Sequence, residues 1–229
     1  MLRSFRAVAG ILAMTASISL FAVVLAGCSQ SRSSGAAAYT GPVTVTSKLV
    51  RGPGMKTVYL AGGCFWGTEK YLDQIRGVKA TEVGYANGAS ASATYGDGSG
   101  YAEAVRVDYD PAVAPLTFLL REFYKAMDPT SIDRQGNDVG TEYRSGIYYT
   151  DPADRPIIDA SLAKLQTQVG RPIAIETGPL KNYTRAEDYH QKYLEKNPGG
   201  YCHIPRNLFG QAGAAKPEPS DFSTPTAEK

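Results

Sequence analysis

Thr57-Val58-Tyr59-Leu60-Ala61-Gly62-Gly63-Cys64-Phe65-Trp66-Gly67 is the stretch on which the fold turns. Its first five residues are β-branched, aromatic or aliphatic and read as a short strand. Two glycines then permit a tight turn. From about Trp66 to Ile75, the residues Thr68, Tyr71, Leu72 and Ile75 recur at the spacing of one helical face, and Gly77 stops that helix. Cys64 therefore falls where a strand gives way to a helix. Free backbone N–H groups and the positive end of the helix dipole favour a thiolate there, which predicts a lowered thiol pKa and a nucleophile. Phe65 and Trp66 place two aromatic rings beside the sulfur and predict a pocket for a small apolar group. The plainer alternative is a buried structural cysteine among core aromatics.

Reading outward, Val78 to Tyr85 is a second strand, Ala86 to Gly100 a loop rich in Gly, Ser and Asn, and Ala102 to Tyr109 a third strand closed by Asp110-Pro111. Leu116, Leu119, Leu120, Phe123, Tyr124 and Met127 form a helical stripe behind Pro115. Asp128 to Arg144 reads as a long polar loop and Gly146 to Thr150 as a fourth strand. The order β-α-β-β-α-β predicts an α+β fold: a two-layer sandwich with a split β-α-β, ferredoxin-like core. A C-terminal extension adds a helix (about Pro152 to Val169), a strand (Ile173 to Thr177) and a helix (about Arg185 to Glu195). In the third strand, alternation puts Glu103, Val105 and Val107 on one face. A carboxyl on an apolar face is desolvated, so its pKa rises and it can donate a proton near neutrality. The competing expectation is a strand-edge glutamate reaching solvent.

The ends of the chain have a different composition. Arg3 and Arg6 precede an apolar run from Ala7 to Val24, so residues 1–27 read as a signal peptide. Leu25-Ala26-Gly27-Cys28 resembles a bacterial lipobox, which predicts cleavage before Cys28 and acylation of its thiol. Acyl chains contribute about 0.8 kcal/mol per buried CH₂, so the expectation is a lipid-anchored, extracytoplasmic protein of the cell envelope. The alternatives are an uncleaved anchor or an ordinary secretory signal with a stray cysteine. Residues 28–55 read as a flexible tether, 56–210 as the folded domain, and 211–229, with Pro217, Pro219 and Pro225, as a disordered tail.

A net charge of +2 with no basic run interleaved with aromatics excludes a nucleic-acid partner. Of the three cysteines, Cys28 is taken by the lipobox. Cys64 and Cys202 remain, as a structural disulfide or as a catalytic pair that cycles. With only His190 and His203 available, and no clustered Cys or carboxylates, no metal or other cofactor is expected.

Further blocks surround Gly63-Cys64-Phe65-Trp66-Gly67. They are Gly84-Tyr85-Ala86-Asn87-Gly88, Thr94-Tyr95, Ala102-Glu103-Ala104-Val105, the run Arg134-Gln135-Gly136-Asn137-Asp138-Val139-Gly140-Thr141-Glu142-Tyr143-Arg144-Ser145, and Ala186-Glu187-Asp188-Tyr189-His190-Gln191 through Asn197-Pro198-Gly199-Gly200-Tyr201-Cys202. In sequence and in order these resemble the A-type peptide methionine sulfoxide reductases. The resemblance implies thiol-dependent reduction of the S epimer of methionine sulfoxide, free or in oxidised proteins. It implies Cys64 as nucleophile, Glu103 as proton donor, Tyr95 and Tyr143 as hydroxyls that hold the sulfoxide oxygen, and Asp138 as the acid that orders a water. Phe65 and Trp66 would line the substrate pocket. Cys202, with no cysteine after it, would resolve the Cys64 sulfenic acid as a disulfide, and a thioredoxin-like reductant would reopen it. A monomer is expected. The chain departs from the family in a shortened segment between Tyr95 and Glu103, and in Tyr101, where His is common. Two other functions compete: a general thiol–disulfide or peroxide-reducing lipoprotein, and a non-catalytic surface binding module with a structural Cys64–Cys202 bridge.

Overall fold

The computed structural model describes residues 43–90 and 92–223. The signal peptide, Cys28, the first part of the tether and residues 224–229 lie outside them. The strands are β1 (Thr44–Thr46), β2 (Lys56–Gly62), β3 (Val78–Ala86), β4 (Ala102–Tyr109), β5 (Arg134–Gln135), β6 (Asp138–Val139), β7 (Ser145–Tyr149), β8 (Glu176–Pro179) and β9 (Asn182–Arg185). The helices are α1 (Phe65–Leu72), α2 (Leu116–Phe123), α3 (Arg155–Val169), α4 (Tyr193–Lys196) and α5 (Asn207–Ala214).

β2 and β4 are buried almost throughout and form the middle of a mixed sheet of order β1-β9-β3-β4-β2-β7-β8. They run antiparallel, with Leu60 opposite Val105 and Val58 opposite Val107. β3 and β7 flank them, also antiparallel. On one face of this sheet Val58, Leu60, Val83, Val105 and Val107 pack with Tyr71 and Leu72 of α1 and Leu116, Leu119, Leu120 and Phe123 of α2. Burying each of those leucine and phenylalanine side chains contributes about 1.5–3 kcal/mol. The other face carries a smaller apolar cluster of Tyr59, Ala61, Tyr148, Leu180 and Tyr183. Beside it lies a buried ion pair, Arg106–Asp108 at 2.9 Å. Arg106 also donates to Ser47 Oγ and to the Leu49 carbonyl.

That last contact changes the reading of the tether. Val43-Thr44-Val45-Thr46 is a short β-branched run, and its β1 adds as a parallel edge strand to β9. The C-terminal end changes too. α5 runs to Ala214, and a 3-10 turn at Pro219–Phe222 is held to α2 by Arg121 Nη1–Asp221 at 2.8 Å. Ordered structure therefore runs beyond the expected limits of 56 and 210, because buried polar anchors fix segments whose composition alone suggests disorder.

The helix expected at Arg185–Glu195 is replaced by β9 and the short α4. Tyr183 is buried against Tyr59, 4.9 Å between ring centroids, and donates to the Glu82 carbonyl. Gln191 spends its amide on the N–H and C=O of Val83, and Lys192 adopts a left-handed φ of 51° that a continuous helix forbids. The strand expected at Ile173–Thr177 begins later, at Glu176. The long polar loop contains the β5–β6 hairpin and a 3-10 turn at Thr141–Tyr143.

Candidate active site

β2 delivers the chain to Gly63, which has a φ of 81° and where a Cβ would collide with Gln135. Only glycine suits this corner. Cys64 follows as the N-cap residue of α1, 6% exposed, and neither it nor Cys202 is in a disulfide. The N–H groups of Trp66 and Gly67 point at its sulfur, as the helix start requires. The expected lowering of the thiol pKa does not follow. Burial, with the Glu103 carboxylate adding to it, outweighs the two N–H groups and pushes the thiol well up. The resting sulfur is protonated, and ionising it requires somewhere for the proton to go.

Glu103 supplies that second group. It is 3% exposed, on the same buried face as Val105 and Val107, and its Oε2 accepts from the Phe65 N–H at 2.9 Å. Burial pushes its pKa up to about 8, with Asp138 and Glu142 adding to the shift and the Phe65 N–H opposing it. The carboxyl is thus largely protonated at neutrality. Glu103 also lines a cavity of about 240 Å³, together with Tyr85, Tyr95, Tyr101, Glu142 and Tyr143. Tyr95 and Tyr143 are hydrogen-bonded to each other across it. Tyr95 is 52% exposed on the glycine-rich loop, whereas Tyr101 is buried with its ring against Gly88.

The remaining expected residues stand around this centre without lining the cavity. Phe65 is fully buried and packs on Tyr85 and His190 at 5.9 and 5.0 Å. Trp66 is half-buried, stacks on Tyr193 at 3.8 Å, and donates from Nε1 to His190 Nδ1 at 2.9 Å. His190, Tyr193 and Glu187 are site residues that the sequence reading quoted or passed over without a role. Glu187 accepts from the Tyr85 hydroxyl at 2.8 Å and the Tyr95 N–H at 3.2 Å, pinning the loop to the site. The clustering of Tyr189, His190 and Tyr193 was the signal available for them.

Asp138 lies on the Cys202 side. Its Oδ2 accepts from the Tyr201 hydroxyl at 3.0 Å and lies 4.0 Å from His203 Nδ1. Cys202 is half-buried over α1, and a Cβ at Gly67 would meet its Sγ at 2.8 Å. Burial raises its thiol pKa, and the thiol donates to the Ile204 carbonyl at 3.4 Å. The segment carrying it, from Asn197 to Arg206, is tied on itself by Arg206 donating to the Pro198 and Gly200 carbonyls at 2.7 and 2.9 Å. Among the described residues no group of His, Cys, Asp and Glu could hold a metal ion, and no helix is long and apolar enough to cross a membrane.

A buried thiol, a protonated carboxyl at its shoulder and a second thiol packed against the same helix define a thiol-based oxidoreductase. The sequence profile of the peptide methionine sulfoxide reductases matches residues 56–218. The peptide methionine sulfoxide reductase MsrA of Lachnoclostridium phytofermentans is 51% identical over 161 residues, covering 69% of this chain and 97% of its own. That of Clostridium perfringens is 52% identical over 154 residues, covering 66% and 98%. Among solved structures, reduced Mxr1 from Saccharomyces cerevisiae superposes with a TM-score of 0.65 at 36% identity, covering 69% of this chain and 96% of that one. Methionine sulfoxide reductase A of Corynebacterium diphtheriae gives 0.60 at 38%, covering 68% and 85%. The chain belongs to the peptide methionine sulfoxide reductase family. It is an A-type enzyme that reduces methionine sulfoxide at the expense of thiols.

Proposed function

We propose that Cys64 and Glu103 act as one unit on the S epimer of methionine sulfoxide. The Cys64 sulfur bonds to the sulfoxide sulfur while Glu103 protonates the sulfoxide oxygen, and the thiol proton returns to the carboxylate. The oxygen then passes to Cys64, leaving a sulfenic acid and releasing the sulfide. Tyr95 and Tyr143 hold the oxygen from the cavity side, Asp138 orders a water, and Trp66, with Phe65 buried behind it, provides the apolar flank for the S-methyl group. The observation that carries this reading is the position of Glu103: one buried carboxyl is bonded to the N–H beside Cys64 and also lines the cavity. Electrons come from thiols alone, so the step calls for no cofactor. A general peroxide or disulfide reductase gives no reason for that carboxyl. Free methionine sulfoxide with dithiothreitol, followed by NMR, tests the reading. Turnover of hydroperoxides or scrambled disulfides without methionine formation would overturn it.

Cys202 then resolves the sulfenic acid as a Cys64–Cys202 disulfide, which a thioredoxin-like dithiol reopens. Its place against Gly67 supports this. Cys202→Ser is expected to complete one turnover and to stay active with dithiothreitol, but to fall by roughly 10²-fold or more with a thioredoxin-type donor. Equal loss with both reductants in a steady-state assay would remove Cys202 from the relay. The strand order β3-β4-β2-β7, antiparallel throughout, supports a ferredoxin-like description of the core.

The mature protein is a monomer anchored through acylated Cys28 on the extracytoplasmic side of a membrane, where it repairs oxidised proteins. The motif Leu25-Ala26-Gly27-Cys28 behind an apolar run supports the anchor. Wild-type protein is expected to partition into detergent and take up labelled fatty acid, and Cys28→Ala to do neither. Unchanged labelling of Cys28→Ala would sink the lipobox reading.

A further inference from the structure

His203 is a buried imidazole with no evident employment. Its side chain is 3% exposed, and neither ring nitrogen makes a hydrogen bond of ordinary geometry, although the Gly62 carbonyl faces the ring. Leaving such a group unsatisfied is costly, so its position calls for a reason. The ring lies over the turn that presents Cys64. A Cβ at Gly63 would meet Nε2 at 3.2 Å, and a Cβ at Gly67 would meet Nδ1 at 3.5 Å and the Cys202 sulfur at 2.8 Å. Gly67 also directs its N–H at the Cys64 sulfur. One residue of α1 therefore touches the surroundings of both thiols and of the imidazole. The same Nδ1 lies 4.0 Å from Asp138 Oδ2.

The resolving step needs what this ring offers. The Cys202 thiol is protonated at rest, held toward the Ile204 carbonyl, and a protonated thiol is a poor nucleophile. Hydroxide is a poor leaving group from a sulfenic acid unless it departs as water. Some group must move a proton from one sulfur to the oxygen on the other.

We propose that His203 is that group: it takes the Cys202 thiol proton at Nδ1, the nitrogen on the Gly67 side, and delivers it to the oxygen leaving the Cys64 sulfenic acid, with Asp138 steadying the charged ring. The S–H bond of Cys202 and the S–O bond of Cys64 break, the S–S bond forms, and water departs. The Cys202 sulfur is oxidised as the Cys64 sulfur is reduced, so no further oxidant or reductant enters. The tautomer required carries its resting proton on Nε2, the nitrogen beside Gly63. The inference rests on the reading of Cys202 as the resolving thiol. Burial lowers the imidazole pKa, with Asp138 and the Gly62 carbonyl opposing, so the ring is neutral and ready to accept at neutral pH. The other titratable and charged groups around it are Cys202 on its own segment, with Arg206 beside that thiol, and Tyr201, which is bonded to Asp138.

The test is single-turnover oxidation of the full chain by methionine sulfoxide from pH 5 to 9, quenched and analysed by mass for both sulfenic acid and disulfide. In wild-type protein, disulfide formation should fall on the acid side, below the ordinary imidazole range, where His203 is protonated. In His203→Asn and His203→Gln it should slow by roughly 10²-fold, lose that acid limb, and let sulfenic acid accumulate. A purely space-filling histidine would leave the limb in place while slowing closure at every pH. Either that result, or wild-type protein with no acid limb, overturns the proposal. Failure of the underlying reading is separate: Cys202→Ser would then form no trappable sulfenic acid, or wild-type protein no Cys64–Cys202 disulfide.

Discussion

Cys64→Ser is expected to bring sulfoxide reduction to background, a loss of roughly 10⁴-fold or more, the scale seen when an enzyme's nucleophile is removed. Serine is smaller than cysteine and fits the same corner, so the turn built by Gly63 and the helix start should persist. A hydroxyl has little affinity for sulfur, and its pKa lies far above that of a thiol. The excess of dithiothreitol used in the assay should not compensate, because on the proposed route dithiothreitol acts only after oxygen has reached Cys64. Methionine formation above a trace, in protein whose circular dichroism matches wild type, would show that another group attacks the substrate.

Glu103→Gln is expected to slow sulfenic acid formation by roughly 10²–10⁴-fold, the usual weight of a general acid. Glutamine keeps the shape and can still accept from the Phe65 N–H, but has no proton to give. The wild-type rate should decline above about pH 8, where Glu103 loses its proton. The glutamine variant should lack that decline. A second readout has the opposite sign: removing the carboxylate removes one of the influences that hold the Cys64 thiol up, so alkylation of Cys64 should begin at lower pH in the variant. Stability follows the same linkage. A carboxyl whose folded pKa is raised gives up stability as pH climbs from its unfolded value toward about 8, so the variant should melt no lower than wild type and higher in alkaline solution. Single-turnover kinetics across pH decide the matter. A near-wild-type rate with an unchanged alkaline decline would move the proton donor to a Tyr95 or Tyr143 hydroxyl.

Local periodicity made most of the centre legible. The strand–glycine–helix passage around Cys64 and the alternation that buries Glu103 depend on neighbours within a few residues, and both stand in the structure. The strand at 102–109 and the helical stripe beginning at Leu116 stand for the same reason. What failed depended on distant partners. Arg185–Glu195 has a helical complexion, yet Tyr183 is claimed by Tyr59 and Gln191 by the backbone of β3. The tail beyond residue 210 looked featureless because its anchor, Arg121, lies a hundred residues earlier. The thiol pKa was misjudged because a helix start is visible in sequence whereas the degree of burial is not. His190 went unassigned because it draws its meaning from rings that only the fold assembles, and His203 stood undecided between assisting Cys202 and facing solvent because its burial is not visible in sequence.

The segment from Asn197 to Arg206, tied on itself, also bears on how a relay resolved by Cys202 would age under oxidant stress. Arg206 folds that segment back on the carbonyls of Pro198 and Gly200, so Cys202 is confined near α1 instead of sweeping a large volume. Short connections of this kind hold a reactive partner at an effective concentration of about millimolar or above. A sulfenic acid that waits in solution is open to a second oxidation, to the sulfinic acid, from which ordinary thiols cannot recover it. Confinement shortens that wait. On the reading of Cys202 as the resolving thiol, the segment sets how long each oxidised Cys64 waits, and lengthening or loosening it is expected to show as enzyme inactivated in proportion to the oxidant it meets.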